Sequence, residues 1–361
     1  MGSTSSAIAA PAISRGRTRA RPRAVAAWLF ACCVLVFAMI VVGGVTRLTH
    51  SGLSITEWQP IVGTLPPLSE ADWNVAFQKY QATPEYKLVN QGMSLAEFKG
   101  IFWWEYAHRL LGRAIGFAFL VPFLWFVARG AVPKGYGGRL AAIFVLGGLQ
   151  GAMGWYMVKS GLVDDPRVSQ FRLTAHLLLA FVILGAMQWV AMSLAFPAQA
   201  ARTAPRGPHR LSLVVVALVL LMIATGGFVA GIRAGFAYNT FPLMNGHVIP
   251  PEAMLLSPWW KNFFYNMATV QLDHRIVAYL LAIAVPLLWW RVRGEGAAPR
   301  RAKVGANLLF AMLCAQIALG IVTLLNVVPL PLAALHQAGA VLVFALALNV
   351  AHALRRTGRD L

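Results

Sequence analysis

Four histidines, His108, His176, His274 and His336, stand near the leading ends of four long apolar segments. They form two pairs with similar separations, 68 residues from 108 to 176 and 62 from 274 to 336. An imidazole in a hydrophobic span is costly without a partner, and neutral imidazole is a preferred ligand of haem iron. A duplicated pair therefore points to two metal or haem sites. A haem held between two helices needs one imidazole from each at equal depth, which both pairs offer. Zinc is less attractive, because each half supplies two histidines and no thiolate at ligand spacing. His50, His209, His247 and His352 lie in loops or near helix ends, have no repeat partner and read as surface residues.

The elements that must carry these side chains are legible from composition. Of 361 residues, 58% are hydrophobic and 12% charged, which is too apolar for a soluble domain of this length. Apolar runs of about 20 residues, enough to cross a hydrocarbon core of about 30 Å, recur near 25–46, 104–128, 140–160, 173–196, 211–232, 272–290, 304–326 and 332–354. The reading is an all-α integral membrane protein with eight transmembrane helices, the second, fourth, sixth and eighth bearing the histidines. The net charge of +19 invites a nucleic-acid partner, but its distribution argues against one. Arginines crowd before the first span and after the second, fourth, sixth and eighth, while the longer intervening loops hold fewer cations. The positive-inside rule then makes both termini cytoplasmic, in a bacterial inner membrane, and sets all four histidines within about two turns of the outer, periplasmic face. The basic first 24 residues read as a cytoplasmic tail rather than a transit peptide. Cys32, Cys33 and Cys314 lie inside spans and read as small core hydrophobes, with no disulfide framework.

The chain divides into the tail at 1–24, a four-helix half at 25–200, a basic linker at 201–210 and a second half at 211–355. Gly43-Gly44 matches Gly226-Gly227, and Glu105-x-x-His108-Arg109 matches Gln271-x-x-His274-Arg275. Gln150 matches Gln316 at the offset that relates His108 to His274. An even number of spans per half keeps both in one orientation, so the reading is two parallel-repeat four-helix bundles. The loops after the first and fifth spans are about 55 and 40 residues long, a length that suits functional covers or short helices. Trp58, Trp73, Trp103, Trp104, Trp259 and Trp260 suit an interfacial aromatic belt.

One position separates the halves. Glu105 shares a helix face with His108, and its counterpart Gln271 cannot ionise. A carboxylate in partly apolar surroundings can serve proton transfer, which would mark the first half as reactive; the bland alternative is a pair with Arg109 or Arg113. Arg109, Arg113 and Arg275 stand at the mouths of these helices, where guanidinium suits haem propionates or simple snorkelling.

These residues resemble the haem A synthase family over nearly the whole chain. The resemblance is carried by Gly43-Gly44-Val45-Thr46-Arg47-Leu48-Thr49-His50-Ser51-Gly52-Leu53-Ser54 with Trp58 and Pro60, by Trp104-Glu105-Tyr106-Ala107-His108-Arg109 with Gly112-Arg113, and by Gln150-Gly151 with Gly154-Trp155. Tyr238-Asn239-Thr240-Phe241-Pro242-Leu243-Met244 and Gln271-x-x-His274-Arg275 complete it. It implies oxidation of the C8 methyl of haem O to a formyl group, giving haem A for cytochrome oxidase assembly, with haem O synthase as upstream partner. It also implies haem b as cofactor on His274 and His336, the substrate haem on His108 and His176, and Glu105 at an essential glutamate position. Some bacterial members carry a cysteine pair in the first outer loop. This chain has none there and looks like the alphaproteobacterial and mitochondrial type. A di-haem cytochrome b moving electrons from quinol is the alternative, and self-association into a homo-oligomer is left open.

Overall fold

The computed structural model describes residues 20–58, 62–162, 168–196 and 206–355. Most of the basic tail and the first five residues of the expected linker lie outside the described residues. Eight helices are long and apolar enough to cross a membrane, and each overlaps an expected span. In chain order the helices are α1 (Pro22–Leu48), α2 (Glu70–Gln81), α3 (Pro84–Leu88), α4 (Leu95–Ala128), α5 (Gly137–Gly161), α6 (Gln170–Ala195), α7 (Arg206–Gly231), α8 (Asn262–Tyr265), α9 (Met267–Gly294), α10 (Arg300–Leu325) and α11 (Leu330–Ala353). No strand occurs among the described residues. This is what lipid demands, since a helix satisfies its own backbone groups.

Several helices run past the apolar segments that announced them, for local reasons. The α4 helix starts at Leu95 because Ser94 and Glu97 form a reciprocal capping box. Its first turns then pack Phe98 and Phe102 against Trp73 and Tyr80 of α2. Trp73 is thus part of a small aromatic core under the first long loop, not the interfacial belt, whereas Trp58, Trp103, Trp104, Trp259 and Trp260 are exposed as expected. The α7 helix begins at Arg206, so the end of the expected linker is helical.

Helices α1, α4, α5 and α6 pack as one group and α7, α9, α10 and α11 as another, with α1, α6, α7 and α11 forming the seam. Lipid tails are as apolar as the helices, so close approach and hydrogen bonds hold such a seam together. Gln337 of α11 donates to the Ile40 carbonyl of α1 at 2.7 Å, a contact that Gly44 makes room for. Gln188 of α6 donates to Ala345 O of α11 at 2.8 Å. His352 is a correction: it is buried, held between Ser193 at 3.1 Å and Arg301 at 3.1 Å. Cys314 is another, since it lies on an exposed helix face rather than in the core.

Candidate functional site

Each of the four histidines backs onto a glycine of a neighbouring helix. A methyl group on Gly43 would stand 3.3 Å from His108, and one on Gly154 3.3 Å from His176. In the second half the same would bring Gly226 within 3.2 Å of His274 and Gly320 within 2.8 Å of His336. These glycines let four imidazoles lie inside the bundles. Helix pairing brings His108 and His176 within electrostatic reach of each other, and likewise His274 and His336. The expected pairs are therefore brought together. Among the described residues no three His, Cys, Asp or Glu side chains cluster to hold a bare metal ion.

The rings are not oriented alike. His274 presents Nδ1 to Thr225 Oγ1 at 3.0 Å, and that hydroxyl donates to the Met222 carbonyl at 3.0 Å. With its one proton spent on the helix backbone, the hydroxyl must accept, so His274 carries its proton on Nδ1 and keeps an Nε2 lone pair. Gln316 covers the Nδ1 side of His336 at 3.2 Å and also donates to its carbonyl at 2.8 Å. In the first half the relation is reversed. His108 Nε2 is the ring atom nearest Gly43, and Gln150 meets His176 at Nε2, 3.3 Å away, leaving His176 Nδ1 buried without a hydrogen bond. The residue before Gly43 is Val42, where the second half has Thr225, so no hydroxyl stands there to hold His108. The paired imidazoles, their glycine cradles and the orphaned His176 nitrogen fit a group bound between the helices.

Glu105 and Gln271 turn out to pin loops. The Glu105 carboxylate accepts from Arg109 at 2.6 and 3.0 Å through one oxygen, and from Ser54 Oγ at 2.8 Å and Ile55 N at 2.7 Å through the other. Gln271 accepts from Arg275 at 2.9 Å and donates to the Ala234 and Ala237 carbonyls. A carboxylate only accepts, so its loop partners are an N–H and an O–H; an amide also donates, so its partners are carbonyls. The Glu/Gln difference is matched by the loops, which is a structural reason for it beside the chemical one. Arg109 and Arg275 are bound up in the same way. Arg109 donates to Ile55 O and Glu57 O, and Arg275 to Tyr238 O, Thr240 O and Pro242 O. These donors hold the covers over the sites, although Arg275 keeps a buried Nε with no hydrogen bond. Arg113 is half-buried one turn further along α4.

Three features escaped the sequence reading. Thr225 opposite Val42 was visible in the glycine alignment. His50 was taken to have no repeat counterpart, yet the offset from Gly43 to Gly226 places Arg233 opposite it, and the two side chains touch at 3.2 Å. Glu85, at the start of α3, is buried with one carboxylate oxygen unpartnered. Burial, with a lesser contribution from Glu105, pushes its carboxyl up to about 8. No sequence signal marked it.

Fold and site together define a polytopic helical membrane protein with two paired-histidine sites under pinned loops. Residues 26–348 match the model of the COX15-CtaA cytochrome oxidase assembly protein family. The chain belongs to that family. It is 62% identical to the haem A synthase of Nitrosospira multiformis over 334 residues, covering 92% of this chain and 94% of the relative. It is 54% identical to the haem A synthase of Nitrosomonas eutropha, with 91% and 93% covered, and 49% identical to that of Parvibaculum lavamentivorans, with 94% and 97% covered.

Proposed function

We propose that this chain is a membrane-bound oxidoreductase that converts haem O to haem A, with His274 and His336 holding a resident haem b and His108 and His176 receiving the substrate haem. The activity follows from family membership and from close, full-length relatives named haem A synthase. The observation that carries the division of labour is ring orientation. In the second half Thr225 Oγ1 accepts from His274 Nδ1 and leaves the His274 Nε2 lone pair free, while the Gln316 amide donates toward His336 Nδ1. An acceptor on the second nitrogen fixes a ligating histidine and raises its basicity, as suits His274 as a permanent ligand. In the first half His108 lacks such a partner, as suits a site that must release its product.

Two successive two-electron hydroxylations, each adding one oxygen atom from an external oxidant, would take the C8 methyl to the alcohol and then to a gem-diol, which loses water to leave the aldehyde. A haem b held by His274 and His336 would supply electron relay. Glu105 and Arg109 hold the segment 54–57 against the first half. Among the described residues the Ser54 hydroxyl is the one neutral O–H donor on the Glu105 carboxylate. The loops face the periplasm and both termini the cytoplasm, on the distribution of arginine. The matched glycines, glutamines and histidines support a parallel repeat at 25–200 and 211–355. Haem O synthase is the upstream partner, since it makes the substrate.

Co-expression with haem O synthase tests the activity: haem A should be extractable from the membranes. Membranes holding only haem B and haem O would favour a di-haem electron-transfer protein instead.

A further inference from the structure

We infer that Arg47, His50 and Arg233 form a carboxylate-binding site at the seam of the two halves, which takes a propionate of the substrate haem in the first half. The inference rests on the assignment of His108 and His176 to the substrate.

Arg47 follows Gly43 by four residues, one helical turn, so it leaves α1 on the side that faces His108 and nearer the loops. It is half-buried, and among the described residues no hydrogen bond or ion pair reaches its guanidinium. Arg233 approaches from the end of α7 and lies within electrostatic reach of Arg47 and His50. Its Nη2 meets His50 Nδ1 at 3.2 Å, so Nδ1 is the acceptor and the imidazole N–H points away on Nε2. Both His50 and Arg233 sit in the left-handed region, at φ 55° and 59°, a backbone conformation that costs a non-glycine residue free energy and is kept where the surroundings enforce it.

Among the described residues the cluster thus holds two guanidinium groups and an imidazole donor with no carboxylate paired to them. Glu57 is bridged to Lys79 at 2.7 Å, and Glu105 is saturated by Arg109, Ser54 and Ile55. Partial burial, then Arg233 and Arg47, lower the His50 pKa, which reports the same uncompensated positive field. A planar carboxylate suits such a fork of donors. Arg109 and Arg275, which the sequence offered for this task, are already engaged, Arg109 by Glu105 and two loop carbonyls and Arg275 by Gln271 and loop carbonyls. An anionic lipid headgroup shares the chemistry, but the position one turn above the His108 contact favours the substrate.

The test uses full-length protein carrying haem b, in phosphatidylcholine nanodiscs, titrated with haem O and with its propionate dimethyl ester. Wild type should bind the free acid about tenfold or more tightly than the ester, since each charge-assisted contact is worth about that factor. Arg47→Gln, Arg233→Gln and His50→Gln, made separately, should weaken acid binding and leave ester binding unchanged. Equal acid affinity in all three variants, or equal loss for acid and ester, would overturn the inference. So would competition by added phosphatidylglycerol that Arg47→Gln abolishes while wild type shows no acid preference. His108→Ala separates the underlying reading: unchanged haem O binding there would remove the substrate assignment itself.

Discussion

Replacing Glu105 by Gln changes one atom, and the geometry states what that atom does. The carboxylate accepts four hydrogen bonds, two from Arg109 and one each from Ser54 and Ile55 N. An amide keeps one accepting oxygen. If that oxygen stays with Arg109, as Gln271 does with Arg275, the NH2 group faces the Ile55 N–H and two donors meet. Ser54 can rotate to accept, but the backbone N–H cannot. An unsatisfied buried donor costs about 1–3 kcal/mol, and the weakened pairing of a partly exposed Arg109 adds to it, so the substitution should cost about 2–4 kcal/mol. That free energy falls on the segment 54–57. Hydrogen exchange of the Ile55 amide should then speed up by roughly 30-fold or more where local opening controls it. The segment 234–243, pinned by Gln271 and Arg275, should exchange as in wild type. Haem A formation should fall while the haem b spectrum persists. Wild-type exchange at Ile55 together with lost haem A formation would refute the anchoring argument and leave a purely chemical role for the carboxylate.

The remaining predictions concern the second site, the tautomer and pH. His274→Ala or His336→Ala should lose the low-spin haem b spectrum; an intact spectrum would contradict the ligand assignment. Thr225→Val removes the acceptor on His274 Nδ1, makes the ligand less basic and should shift the haem b midpoint potential upward, with Thr225→Ser restoring it. An unchanged potential would show that Thr225 does not set the ring. Burial raises the Glu85 carboxyl from its ordinary 4.5 to about 8 in the folded protein. A raised pKa means the folded state holds the proton more tightly, so this contribution is fully present below about pH 4.5 and is lost as pH rises through 8. Thermal melts of the purified protein should therefore decline over that window, by at most about 1.4 kcal/mol per pH unit from this group. Glu85→Gln should flatten the decline, and an unaltered slope would exclude Glu85 as its source.

Much of this protein is written locally. Whether a segment spans a membrane depends on its own length and apolarity, so all eight spans, the histidine each even-numbered span bears and the matched Gln150 and Gln316 were legible from the chain alone. Capping is local too, which is why Ser94 and Glu97 can place the start of α4. What tertiary structure decided is which groups meet across the seam and under the loops. Sequence placed Arg109 and Arg275 beside the histidines but could not say that loop carbonyls would share their donors with Glu105 and Gln271. It placed His50 in a loop, and only the packing of α1 against the second half brings Arg233 to it across 183 residues. It marked Glu105 by its charge, while the partners that saturate that charge come from a loop about fifty residues earlier. The orientation of His176, His274 and His336, on which the proposed division between a held haem and an exchanged one draws, depends on single hydrogen bonds between helices. Those bonds are set by packing, and no local pattern encodes them.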